Sequence, residues 1–171
     1  ISAKSEFEKD KFLDIAIKKE KNTNITLVEI YSDIARPLVN SYGFFEGLEG
    51  GNLIYSSKSN NKESSGVLEI KNFKLNKAPG LAKLLSLADL KGLTDALRGD
   101  GISFDSLVIK YESSSTWMDI KEIFIIGPSI SVLVEGYFDK KKDILSLRGT
   151  LVPAKTLNNI VSKIPVVGDI L

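Results

Sequence analysis

The sequence predicts a mainly β (α+β) fold, in which a curled antiparallel sheet forms a groove and two to three amphipathic helices pack on it or cap it. Alternating apolar and polar stretches recur along the chain, and four of them lie between residues 102 and 152 with only short turns between them. The leucines of residues 78–98 instead follow a helical period. Of the 171 residues, 43% are hydrophobic and 26% are charged, which is typical of a globular domain with a substantial core.

The first 75 residues predict strands around one short helix. Strands are expected at 12–18, 25–31, 52–58 and 67–75. The helix is expected over 34–42, after the potential N-cap residues Ser32 and Asp33, with Gly43 ending it. A glycine-rich turn at 44–51 and a polar hairpin tip at 59–66 complete the segment.

The leucine-rich segment predicts two short helices or one bent helix. Its apolar residues recur at three- and four-residue spacing from Leu81 onward, and Gly92 weakens the case for a single helix. Pro79 suits a first helical turn, and Asp89 is a potential cap for a second helix. The leucines expected to pack on the sheet, close its end or contact a membrane are Leu84, Leu85, Leu93 and Leu97.

Residues 102–153 predict an antiparallel meander. Its strands are expected at 104–112, 117–126, 130–138 and 144–152. An amphipathic helix over 154–164 is expected to end at Pro165, and an apolar tail over 166–171 follows. We interpret residues 1–171 as a single domain with segments 1–75, 76–101, 102–153 and 154–171. We expect it to be a fragment of a longer protein, because the sequence begins with Ile and stops after an apolar run.

Composition narrows the possible functions. The formal net charge is +1, which argues against nucleic acid as the main partner. The chain has no Cys and no His, so it lacks thiol nucleophiles, Ser-His triads and the usual zinc ligands. Carboxylate pairs such as Asp100 with Asp105 exist, but nothing in the sequence places them in a cleft. The sequence therefore predicts a protein that is not an enzyme and needs no cofactor or metal.

Apolar strand positions are the main candidate site. In the functional interpretation they form a groove for acyl chains, and in the alternative interpretation they are an ordinary core covered by helices. The groove candidates are Leu107, Ile109, Ile130, Val132, Val134, Phe138, Leu145 and Leu147. In the tail, Ile164 and Val167 join the leucines as candidates for capping or docking. The three lysines at 140–142 could attract anionic head groups, or they could form a solvated turn flanked by Asp139 and Asp143.

Three stretches carry a resemblance to a known family. The first runs from Ala78-Pro79-Gly80-Leu81 to Gly101-Ile102-Ser103-Phe104, and the second is Gly127-Pro128 followed by Val134-Glu135-Gly136-Tyr137-Phe138-Asp139. The third is Gly149-Thr150-Leu151-Val152-Pro153, leading to Ile164-Pro165-Val166-Val167-Gly168. In order and spacing they resemble the C-terminal region of the AsmA-like, YhdP-type bacterial envelope proteins, over about residues 33–171.

The resemblance implies a location and a function. The parent protein would be anchored in the inner membrane, outside these residues, and would cross the periplasm with a long apolar β-groove. It would handle or transport phospholipid between the envelope membranes, and this chain would be its C-terminal module. The expected partners are phospholipid or a membrane surface, and an outer-membrane or other envelope protein. The alternative is a structural domain that does not transport lipid, but caps the groove and docks to such a partner.

Overall fold

A computed structural model describes residues 1–21, 23–41, 47–76, 78–87 and 90–153 of the chain. Within these ranges, nine strands form one antiparallel sheet in which spatial order follows chain order, and the sheet is not closed. The strands are β1 (Ser2–Glu8), β2 (Lys11–Lys19), β3 (Thr26–Ser32), β4 (Leu48–Ser59), β5 (Glu63–Leu75), β6 (Ile102–Ser114), β7 (Trp117–Ile126), β8 (Ile130–Asp139) and β9 (Ile144–Pro153). The predicted fold class, a curled antiparallel sheet with a few helices, is confirmed.

Within the described residues, three short helices lie at one end of the sheet. Helix α1 (Arg36–Ser41) connects β3 to β4, while α2 (Pro79–Leu87) and α3 (Lys91–Arg98) connect β5 to β6. Helix α1 contacts β4 and α3 contacts β6. We call this the capped end and the opposite end, where residues 60–62 and 140–143 turn the chain, the far end. No helix in the described ranges combines the length and hydropathy needed to span a membrane.

The structure separates the leucine-rich segment into two helices. Leu90 is the N-cap residue of α3 and provides no side-chain cap. The predicted cap Asp89 lies outside the described residues. The predicted helix over 154–164, its end at Pro165 and the apolar tail lie outside them as well.

Two predicted boundaries are wrong, and one strand was not predicted. Strand β4 begins at Leu48, within the stretch predicted as a glycine-rich turn. Strand β5 begins at Glu63, so most of the predicted hairpin tip belongs to paired strands. Strand β1 was not predicted because every one of its residues is exposed, which leaves its sequence without the apolar alternation of a half-buried strand.

The buried core continues across a change in the strand pleat. On β5, Ile70 and Phe73 are both buried although they are three positions apart, where strict alternation would place them on opposite faces. Asn72 between them has φ 54°, and the neighbouring Gly51 on β4 has φ 76°. A side chain at Gly51 would place its Cβ 3.0 Å from atoms of both Ile70 and Phe73. This change in the pleat places Phe73 on the same face as Ile70, and the Phe73 ring stacks on Phe104 with centroids 5.4 Å apart.

Candidate functional site

The strand register divides the sheet into two chemically distinct faces. We call the face that carries the buried core the inner face and the opposite one the outer face. Cross-strand pairing arranges the inward residues of β2 to β9 in four rows, from the capped end to the far end. The core row is Leu13, Ser32, Leu53, Ile70, Leu107, Ile125, Val132 and Leu151. The middle row is Ile15, Ile30, Tyr55, Leu68, Ile109, Ile123, Val134 and Gly149. The tyrosine row is Ile17, Val28, Ser57, Gly66, Tyr111, Ile120, Gly136 and Leu147. The far row is Lys19, Thr26, Ser59, Ser64, Ser113, Met118, Phe138 and Leu145.

Charge is almost absent from these four rows. Lys19, in the far row near one sheet edge, is the single charged residue among them. The outer face instead carries cross-strand ion pairs, including Lys110 with Glu122 at 3.1 Å and Arg148 with Glu135 at 2.7 Å. The same face holds the Lys4–Asp14, Lys71–Glu69, Lys121–Glu112 and Lys121–Asp119 pairs. The sheet is therefore ionic on one face and nearly free of charge on the other.

All eight predicted groove residues lie on the inner face, but at different depths. Leu107, Ile130 and Val132 belong to the buried core at the capped end, with exposures of 1%, 0% and 6%. Ile109, Val134 and Phe138 are half-buried.

The remaining two candidates, Leu145 and Leu147, are exposed by 56% and 46%. Leu151, on the same edge strand but near the capped end, is half-buried. Along β9, the exposure of the inward-facing residues therefore rises towards the far end.

The structure describes the side chains of two of the predicted capping residues, Leu85 and Leu93. Leu85 is fully buried and Leu93 is half-buried against the same core, so both pack on the inner face at the capped end. The side chains of Leu84 and Leu97, and the whole of Ile164 and Val167, lie outside the described residues. The described helices thus pack on the core at the capped end, and the far row lies at the opposite end of the strands.

Two tyrosines meet in the middle of the inner face. The hydroxyl oxygens of Tyr55 and Tyr111 are 2.7 Å apart. Tyr111 is the cross-strand neighbour of Gly66, and a Cβ at Gly66 would lie 2.7 Å from the Tyr111 ring. The glycine therefore makes room for the ring. Burial raises the pKa of the Tyr111 hydroxyl, and the hydrogen bond with Tyr55 raises it further.

On β4 to β6, the far end of the inner face carries hydroxyl groups. The three serines Ser59, Ser64 and Ser113 are neighbours on β4, β5 and β6. Ser113 is buried, and its Oγ accepts a hydrogen bond from Lys140 Nζ at 2.6 Å. Lys140 Nζ also donates to the Ser114 carbonyl oxygen at 2.6 Å. One ammonium group therefore stands at the rim of the inner face.

A surface cavity of about 450 Å³ lies mainly among outer-face residues of β3 to β7. Leu27 and Val67 supply its apolar part, and Lys110 and Lys121 line it as well. Both lysines are ion-paired, and hydrogen bonds to the Asp119 and Glu112 carboxylates raise the pKa of Lys121. This hollow is therefore separate from the predicted groove, and the charges of these two lysines are already compensated.

Several inner-face residues were not among the sequence candidates. Tyr111 and Ser113 continue the alternation of Leu107 and Ile109, so counting every second residue along β6 would have found both. On β7 such counting fails in mid-strand, because a bulge leaves the inward-facing Ile120 and Ile123 three positions apart. Lys140 carried no signal that distinguished it from the two lysines that follow it.

Comparisons with known proteins identify no relative: no family model, curated protein or solved structure matches the chain. The architecture defines the chain as a domain with an open antiparallel meander whose charge is segregated by face.

Proposed function

We propose that the inner face binds phospholipid acyl chains, and that the domain is a hydrophobic conduit module of an envelope protein that handles or transports phospholipid between membranes. The parent would be anchored in the inner membrane and would span the periplasm, as the resemblance of the sequence implies. One observation carries the proposal. The inner face stays nearly free of charge beyond the part that the helices cover, where side chains such as Leu145 and Leu147 are exposed.

The dimensions of this surface suit an acyl chain. From the middle row to the far row is four residues along a strand, or about 13 Å. One leaflet is half of the roughly 30 Å hydrocarbon core of a bilayer, about 15 Å. Each methylene that leaves water on this surface contributes roughly 0.8 kcal/mol. An acyl chain lying along Val134 and Phe138 would therefore gain several kcal/mol.

The sheet also offers access to such a ligand. It is not closed, and its terminal strands β1 and β9 each pair on one side only within the described residues. An acyl chain can therefore approach the far row from the sheet edge at β9 without unfolding an element. Binding of this kind is passive, and the energy for directional movement would come from elsewhere in the system.

A second candidate function is capping. Helices α2 and α3 place Leu85 and Leu93 on the core, which fills the inner face at the capped end. In this alternative the domain closes the end of a groove and docks to an envelope partner, without moving lipid itself. The two functions differ in whether lipid occupies the far row.

The test uses two neighbouring residues on opposite faces. Leu145 points inward and Ile144 points outward on β9, and their exposures are 56% and 50%. The chain is incubated with vesicles of phosphatidylethanolamine and phosphatidylglycerol, separated from them, and examined by native mass spectrometry for bound lipid. Leu145→Glu is expected to reduce the bound fraction by roughly tenfold or more, because the carboxylate would lie against the acyl chain.

The matched control is Ile144→Glu, which is expected to retain lipid. Both variants should keep the wild-type unfolding midpoint, since both side chains are exposed. Equal retention in the two variants, or no lipid on the unmodified chain, would contradict the proposal and favour the capping function.

A further inference from the structure

We infer that the far end of the inner face binds the phosphate of a glycerophospholipid through the Lys140 ammonium group. The inference rests on the proposed function, because it assigns the head group of the same ligand whose acyl chains lie on the inner face. The Lys140 side chain is directed towards the inner face. Lys140 follows Phe138 by two residues, and its amino group reaches the inward-facing Ser113.

The lysines of this turn are not equivalent. Asp139 accepts hydrogen bonds from the backbone amides of Lys141 and Lys142, and its carboxylate lies 3.9 Å from Lys142 Nζ. The Asp139 carboxylate is therefore already paired with groups of the turn, Lys141 and Lys142. Lys140 forms none of the ion pairs found among the described residues, and its two hydrogen-bond partners are uncharged oxygens. Its positive charge is available to an anion.

The surroundings of Lys140 match the order of groups in a phospholipid. Going from the middle row to the rim along β6, the inner face presents the apolar Ile109, then the ring and hydroxyl group of Tyr111, then the hydroxyl group of Ser113, and then the ammonium group. A lipid has the same sequence of acyl chain, polar ester region and phosphate. An ammonium group with a free N–H can form a charge-assisted hydrogen bond to phosphate, which is stronger than a neutral one.

The test compares two lipids that differ in the phosphate group. The intact chain is incubated with vesicles containing either phosphatidylglycerol or diacylglycerol with the same acyl chains, and bound lipid is quantified by native mass spectrometry. Lys140→Met keeps most of the aliphatic stem and removes the charge. Its retention of phosphatidylglycerol is expected to fall about tenfold, while its retention of diacylglycerol stays unchanged.

Lys141→Met is the matched control, because it removes one charge from the same turn, and it is expected to behave like the unmodified chain. An equal loss in the two variants would overturn the inference, since it would reflect general attraction to an anionic surface. Equal binding of the two lipids by the unmodified chain would overturn the head-group assignment and leave the acyl-chain proposal standing. Binding of neither lipid would overturn both.

Discussion

The hydroxyl oxygens of Tyr55 and Tyr111 lie 2.7 Å apart on the inner face, where the Tyr111 ring occupies the space left by Gly66. The pair supplies a polar contact inside a surface that is otherwise mostly apolar. Each hydroxyl group satisfies part of the other's hydrogen-bonding capacity, so the two rings can remain on this face without a charged partner.

The tyrosine pair predicts an alkaline loss of stability. The pKa of Tyr111 is raised in the folded chain, so its contribution is complete below the unfolded value of about 10 and is lost as pH rises above it. The free energy of unfolding, measured by urea denaturation between about pH 8 and about pH 11, should therefore fall with pH. Tyr111→Phe should cost about 1 kcal/mol at neutral pH and should reduce the alkaline slope.

Part of the alkaline slope should remain in Tyr111→Phe. Tyr31 also has a raised pKa, because its hydroxyl donates a hydrogen bond to Asp33, whose negative charge disfavours the phenolate. The double variant with Tyr31→Phe should flatten the slope further. An unchanged slope in Tyr111→Phe would contradict the assignment of a buried, hydrogen-bonded hydroxyl at this position.

Two glycine substitutions should have opposite effects on stability. Gly66→Ala places a Cβ 2.7 Å from the Tyr111 ring, so it should destabilise the chain by about 1–3 kcal/mol through overpacking. Gly92→Ala in helix α3 meets no atom within 4 Å, so it should stabilise the chain by up to about 1 kcal/mol. Urea denaturation of both variants checks the pair. Equal effects of the two changes would show that the Tyr111 ring does not lie against Gly66.

Fluorescence can report which face contacts acyl chains. The chain has one tryptophan, Trp117, so the Trp117→Phe variant has no tryptophan fluorescence of its own. On this background, Ile109→Trp places the probe on the inner face and Val108→Trp places it on the outer face, at two half-buried neighbouring positions. Lipids with brominated acyl chains should quench the probe at 109 much more than the probe at 108. Equal quenching at both positions would mean that the sheet does not bind lipid by one face.

The meander of residues 102–153 could be predicted closely because its turns have clear signals. Gly127-Pro128-Ser129 and the polar run after Phe138 separate strands whose apolar residues alternate. Strand β1 could not be predicted, because it is held by pairing with β2 while exposing all its side chains. The pleat change near Asn72 was equally hidden, since a positive φ at a non-glycine residue leaves no reliable trace in one sequence.

The sequence could predict which face of the sheet each candidate residue lies on, but not how deeply that residue is buried. Alternation along β8 correctly places Val132 and Val134 on the same side of the sheet. It carries no information about where the helices end, and this decides that Val132 is buried while Val134 is only half-buried. Lys140 depended on the same tertiary information, because only the folded turn distinguishes it from Lys141 and Lys142.

The central claim is that the far part of the inner face is a lipid-binding surface rather than a site that the chain itself fills. A photoreactive benzoylphenylalanine at Leu147 probes the inner face, and one at Tyr137 probes the outer face on the next strand, where exposure is similar at 52%. After irradiation with phospholipid vesicles, mass spectrometry should find lipid attached at position 147 and little at position 137. A crosslink from position 147 to residues 154–171 of the same chain, with no lipid captured, would contradict the account.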